Sequence, residues 1–436
     1  MTLSAVSSIE TCLENIRLYN DTINAVVTYD SDSAIESAKR ADRALKEGDW
    51  LGLLHGMPLT LKDNIDTAGM KTTSGATFLS EHIPNEDAEV VRRLRDAGAI
   101  IIGKANMQEL AFGVVTTNPV FGQCRNPWNP ECIPGGTSGG SGASVVSGMC
   151  QGSLGTDTGG SVRIPASMTG VVGLRPTHGR ISIRGVMPAS LSNDTVGPMA
   201  RTVTDVARLF AVLEGYDPKD PVCKDRPSEN FLPTLGNGIS GVRIGIARDF
   251  HFSRVSSDVE QCVLDSVKIF ESLGAKVKDI DLPNAELAQD WNIVQIYGDI
   301  CAHFKERLRS DPDSISPRVR ARMMLGKKFT AVDYAESMRG KELWRQTLKA
   351  VFLDKVDLLL APTVPFAPPE ISGEEDLHEA TKDAARFTYG SALSGHPGLS
   401  LPCGFNNNGL PIGLMLEASW WNEPLLFRAG YAYQEI

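Results

Sequence analysis

The stretch from Gly135 to Gly179 constrains what this chain can fold into more than any other part of it: 13 of its 45 residues are Gly and seven are Ser. Between Ile133 and Val162 only Asp157 carries a charge. An ordinary amphipathic helix presents a charged or polar face to water, so the stretch is not one. It is not a flexible Gly/Ser linker either. Val145, Val146, Met149, Leu154 and Ile164 recur through it, and polar linkers lack such residues to bury.

Around this stretch, helix and strand signals alternate. Ser7 with Glu10 reads as a capping box, and Ile9, Cys12, Leu13 and Ile16 follow at helical spacing. Ser33 and Glu36 repeat the signal before an Ala-rich helix that should stop at Gly48. Met57 to Leu61 is a short strand-like run that delivers Lys62 at its end. A helix over Asp87 to Ala97 precedes an apolar strand, Ala99 to Ile102. Val203 to Glu214 is followed by Val242 to Ile246, and Ala331 to Val351 by Val356 to Leu360. Helices alternating with wholly apolar strands predict a sheet covered on both faces. Asp217 to Pro227, rich in Pro and Asp, reads as a surface loop.

Composition narrows the class. The 436 residues are 42% hydrophobic and 22% charged, which is globular usage. The net charge of −10 disfavours nucleic acid or an anionic membrane as a partner. The N-terminus has no basic region followed by an apolar one, and no long apolar run occurs, so a cytoplasmic protein is expected. Eight Cys without a C-x-x-C pair support neither a zinc site nor a redox motif, and no metal or other cofactor is expected.

Three readings of the glycine-rich stretch compete. A phosphate cradle fails, because no G-x-x-x-x-G-K-[ST] occurs and Val145 stands where a dinucleotide loop needs a third small residue. Gly136-Thr137-Ser138-Gly139-Gly140 satisfies the G-x-S-x-G of a nucleophile elbow, but that elbow needs a strand before it. Three prolines between Asn126 and Pro134 do not make a central strand. None of the seven His stands in a recognisable triad context.

The third reading fits the whole stretch. Pro134-Gly-Gly-Thr137-Ser138-Gly-Gly-Ser141-Gly-Ala and Leu154-Gly-Thr-Asp157-Thr-Gly-Gly160-Ser161-Val-Arg163-Ile-Pro165 resemble the two halves of the amidase signature. The resemblance runs on through Gly170-Val-Val-Gly-Leu-Arg-Pro-Thr177. Upstream it takes in Gly56-Met-Pro-Leu-Thr-Leu-Lys62-Asp63-Asn64, and towards the C-terminus Ala361-Pro-Thr363, Leu401-Pro-Cys403 and Gly409-Leu-Pro-Ile-Gly413. It implies an α/β/α fold around one large, mixed and mostly parallel sheet. It further implies a single domain over 1–436, with N-terminal helices at about 3–48 packed on a signature core at about 55–200.

The family uses a Ser, cis-Ser, Lys triad. By resemblance the nucleophile is Ser161 and the lysine is Lys62. The bridging hydroxyl lies 24 residues before the nucleophile, at Thr137, where the family usually has Ser. Threonine has the same hydroxyl donor and acceptor inventory as serine, so the exchange keeps the chemistry. Ser138 is the alternative bridge, and is also placed beside the substrate. The resemblance assigns the oxyanion site to Thr158, Gly159, Gly160 and Ser161, whose glycines leave the oxygen an open approach. Asp157 and Arg163 read as a supporting ion pair, and Ala111 and Phe112 align with the acyl pocket of relatives.

A serine hydroxyl attacks an amide only when a base takes its proton, and Lys62 is such a base only if neutral. Its apolar, charge-poor setting favours that form. The resemblance implies a small or medium amide as substrate. A basic cluster, Lys305, Arg307, Arg309, Arg318, Arg320, Arg322, Lys327 and Lys328, reads either as a solvated helical face or as a wall for an anionic substrate. Three functions stay open: a free-standing amidase, the amidase subunit of a glutamine-dependent tRNA amidotransferase, and a non-catalytic binding protein on the same scaffold. The assemblies open to such a chain are a homodimer and a complex with a small accessory subunit.

Overall fold

The computed structural model describes residues 4–373 and 376–436. In chain order its strands are β1 (Val26–Tyr29), β2 (Pro58–Lys62), β3 (Ile100–Ala105), β4 (Thr117–Asn118), β5 (Gly122–Gln123), β6 (Gly152–Asp157) and β7 (Val172–Arg175). There follow β8 (Thr195–Ala200), β9 (Arg243–Ile246), β10 (Lys276–Asp279), β11 (Leu358–Pro362), β12 (Gly398–Phe405) and β13 (Pro411–Ala418). All but the small β4–β5 hairpin join one 11-stranded sheet in the order β1-β3-β2-β6-β8-β7-β12-β13-β11-β9-β10.

The sheet is mixed, as expected, but not mostly parallel. Four of its ten pairings are parallel: β2–β3, β2–β6, β9–β10 and β9–β11. Two features account for the difference. Strands β6 and β7, linked through helix Arg163–Thr169, run the same way, but β8 inserts between them antiparallel to both. Strands β12 and β13 pair antiparallel and are joined by residues 406–410 alone. A connection that short returns the chain antiparallel, whereas a parallel crossover needs a dozen residues or more.

Helices cover both faces. On one, Leu59, Leu61, Leu154, Leu174 and Leu401 of the sheet pack with Phe210, Phe270 and Phe427 from helices Val203–Leu213, Ser257–Ser272 and Glu423–Gln434. On the other, Ile9, Leu13 and Ile16 of the first helix meet Ala143, Val145 and Ala166 from the glycine-rich stretch, which is therefore core. Strand alternation along β2 sends Leu59 and Leu61 into the first cluster, while the intervening Thr60 bonds Ser153 at 2.9 Å and Ser144 at 3.1 Å.

Both N-terminal helices begin a few residues before the expected caps. The first, Ala5–Ile23, is capped by Ser4, which accepts from the Ser7 N–H at 3.1 Å. The second, Ser31–Glu47, is capped by Asp30, whose carboxylate takes the Ser33 N–H at 3.0 Å. An Asp at that place also carries the negative charge that a helix N-terminus favours. Gly48, at φ 86°, closes the second helix where the sequence predicts.

Candidate active site

Strand β2 ends on Lys62, which is fully buried. Its Nζ donates to Thr156 Oγ1 at 2.7 Å and to Thr137 Oγ1. Burial pushes the ammonium down to about 7, against the pull of Asp157 and Asp194, which favour the charged form. Desolvation wins because no carboxylate forms an ion pair with Nζ among the described residues, and two neutral hydroxyls surround it instead.

Thr137 sits in the non-helical lead-in to helix Gly139–Val146, and the Gly136–Thr137 peptide bond is cis. The Thr137 carbonyl accepts the Gln108 N–H at 3.0 Å, and the Ser138 N–H donates to the Ser161 carbonyl at 3.2 Å. The second bond holds residues 137–138 beside 161. Ser138 points elsewhere. Its Oγ donates to the Thr156 carbonyl at 3.3 Å and accepts the Thr156 N–H at 3.3 Å, so it is spent on backbone. Of the two adjacent hydroxyls, Thr137 is the one that meets Lys62, and Ser138 does not line the cavity beside it.

The turn after β6 carries Thr158, Gly159, Gly160 and Ser161. Side chains from the far C-terminal part fill the space beside both glycines: a Cβ on Gly159 would collide with the Tyr389 ring, and one on Gly160 with Thr388. Thr388 Oγ1 donates to the Gly159 carbonyl at 2.7 Å, which turns the Gly160 N–H the other way, onto Asp157 Oδ1 at 2.8 Å. The expectation that Gly160 offers a free oxyanion donor is thereby corrected. The N–H groups of Gly159 and Ser161 have no acceptor among the described residues. The Thr158 hydroxyl donates to Asp194 at 2.6 Å.

Beneath this turn lies a fully buried ion cluster. Asp157 takes Arg163 at 3.0 Å and Arg175 at 2.9 Å. Burial alone would raise the Asp157 pKa, but the two guanidiniums outweigh it and hold the carboxyl well below its usual range. Arg163 also donates to Ser391 Oγ at 2.5 Å and to the Thr388 carbonyl at 3.0 Å. Asp194, which accepts the Ala189 and Ser190 N–H groups at 2.9 Å each, is pushed up to about 6 by burial.

Thr137, Thr158, Gly159 and Ser161 line one cavity, together with Ala111 and Phe112. Ser161 is half-buried and so within reach of a ligand there. The basic cluster divides. Arg307 and Arg309 pair on the surface with Asp311 and Glu306 at 3.0 and 2.6 Å, and Arg320 pairs with Asp313. Arg322 turns inward to the cavity wall, buried, 3.9 Å above the Phe112 ring and donating to Tyr297 Oη at 2.6 Å. It forms no ion pair with a carboxylate among the described residues.

Sequence reasoning missed Thr156, Asp194 and the inward turn of Arg322, and it did not single out Arg175. Arg175 lies inside a quoted motif, and its burial was the missing information. Asp194 and Arg322 reach the site through loops and helices whose approach no local pattern encodes.

A sequence model of the family described as Amidase matches residues 7–427. The chain is 36% identical to the glutamyl-tRNA(Gln) amidotransferase A-type subunit of Lachnospira eligens, covering 99% of this chain and 95% of that protein. A solved structure described as an unexpected vestigial protein complex, bearing on the evolutionary origins of an s-triazine catabolic enzyme, superposes with a TM-score of 0.93. It is 32% identical over 99% of this chain and 95% of that one. A peptide amidase in complex with the competitive inhibitor chymostatin gives a TM-score of 0.86 at 28% identity, covering 99% and 94% of the two chains. Among the described residues no helix is long and apolar enough to cross a membrane.

Proposed function

The chain belongs to the amidase family, and from that premise we propose that it hydrolyses a small or medium amide through an acyl-Ser161 intermediate. One observation carries the reading: a buried lysine pushed down to about 7 touches the Thr137 hydroxyl, which shares a cavity with Ser161. Ser161 Oγ attacks the amide carbon, its proton passes to Thr137 Oγ1, and Thr137 passes its own to Lys62 Nζ. The N–H groups of Gly159 and Ser161 receive the oxyanion. Their job requires donors not already committed to the protein, which leaves Gly160 to shape the turn rather than to bind. The departing amine takes its proton back along the same route, and water releases the acid.

Arg322 narrows the substrate. A buried guanidinium with no carboxylate partner on a cavity wall matches an anionic group, and a carboxylate is the planar partner it takes with two parallel bonds. The substrate is then an amide bearing a carboxylate at its far end. A second reading, the amidase component of a glutamine-dependent amidotransferase, is supported by the 36% identity to such a protein and fits the same cavity chemistry.

The test is ammonia or amine release from a panel of neutral and carboxylate-bearing amides, with intact mass of trapped acyl-enzyme. Turnover by the isolated chain supports the first reading, and glutamine hydrolysis only with partner subunits supports the second. Ser161→Ala should abolish release while the protein stays folded. Unchanged turnover in that variant overturns the mechanism.

A further inference from the structure

Behind the cavity lies a second, smaller chamber with room for about one water. Its polar lining is Asn64, Thr156, Thr158, Asp194 and Thr195, and its apolar wall includes Ile183 and Val186. It meets the outer cavity along Ala111, Thr158 and Ala189, which line both. Asn64 is 1% exposed. Its Nδ2 donates to Thr156 Oγ1 at 3.3 Å, while its Oδ1 is buried without a hydrogen-bond partner. The Thr156 hydroxyl in turn stands 2.7 Å from Lys62 Nζ. A small space whose wall carries the unpaired Asn64 Oδ1 beside the Thr156 hydroxyl is a place that holds one water.

We propose that this rear chamber binds the second substrate of hydrolysis, water, and delivers it to the acyl-enzyme from the Lys62 side. The inference rests on the acyl-Ser161 reading. Once the amine has left, the water oxygen bonds to the acyl carbon while one of its protons passes through Thr137 to Lys62. Collapse of the tetrahedral intermediate breaks the bond to Ser161 Oγ, which recovers that proton. The water thus supplies the hydroxyl of the carboxylic acid and the hydrogen of the free serine. Asn64 acts as a positioning residue, holding the water through Oδ1.

The experiment is pre-steady-state amine release by the full chain, with intact mass taken during turnover. Val186→Phe fills the chamber from its apolar wall, Val186→Leu does so more gently, and Asn64→Leu removes the unpaired acceptor. In each, the first burst of amine should persist while later turnover slows by about tenfold or more, the scale of misplacing a reactant, and acyl-Ser161 should accumulate. Variants with wild-type melting that show no accumulation, or whose burst slows as much as their steady state, overturn the chamber's role. Absence from the wild type both of acyl-Ser161 after an acid quench and of a hydroxamate when hydroxylamine is added overturns the acyl-enzyme reading itself, a distinct result.

Discussion

Lys62 and Lys104 lie near the ends of neighbouring parallel strands, both fully buried, and burial pushes them down to about 7 and about 8. Their surroundings differ. Lys104 Nζ is held by the Ile65 carbonyl and by Thr67 and Thr72 Oγ1 at 3.1 and 3.0 Å. Those two hydroxyls give their own protons to the carbonyls of Ile65 and Met70 at 3.1 and 3.2 Å. Nothing there has a proton to pass on. Thr137, against Lys62, makes no such commitment and opens to the cavity. Burial makes a lysine easy to neutralise, but its partners' free protons decide whether it anchors a loop or moves a proton.

The strongest way to break that contrast is to remove each lysine. Lys62→Met, and equally Thr137→Val, should lower kcat/KM by roughly 10²–10⁴-fold, the range for losing a general acid–base group. Lys104→Met should leave the activity of the folded fraction within a few-fold. Equal losses in purified, folded variants would erase the distinction between anchor and base.

Stability should rank them the other way. Lys104→Met strips a donor from buried acceptors, at about 1–3 kcal/mol for each such group left unpaired, readable by urea unfolding. Lys62 ionises at about 7 when folded against an ordinary 10.5. Between these values the unfolded chain holds the extra proton, so stability rises with pH across that window, and below it the burial penalty is present in full. Lys62→Met removes the penalty. Its gain in melting temperature should be larger at pH 6 than at pH 9.

A subtler test concerns the acid limb of the kcat/KM profile, which should fall with an apparent pKa near that of Lys62, about 7. Asp194 favours the ammonium, so Asp194→Asn should move the limb to lower pH; a shift to higher pH would contradict the assignment. The smallest effect belongs to Thr137→Ser, which keeps the hydroxyl and should stay within a few-fold of wild type.

Much of this contrast was readable in the chain, and much was not. Lys62, Thr137 and Ser161 stand in motifs that resemble a known family's, and it was that resemblance, not their residue types alone, that grouped them. Lys104 was not singled out, because a lysine at the end of an apolar strand looks the same whether solvated or entombed. The antiparallel share of the sheet was hidden by β8, whose insertion between β6 and β7 follows from a long connection rather than from local periodicity. The Gly160 N–H looked like a free donor because only the approach of Thr388, 228 residues away in sequence, reveals which way its peptide faces.

That last contact also orders events during synthesis. The turn bearing Ser161 is propped by Thr388, Tyr389 and Ser391, which are synthesised more than 220 residues after it. A nascent chain therefore carries Ser161, Thr137 and Lys62 long before it has the props that shape the turn. A chain that stops short of those props holds Ser161 on a turn that nothing yet shapes.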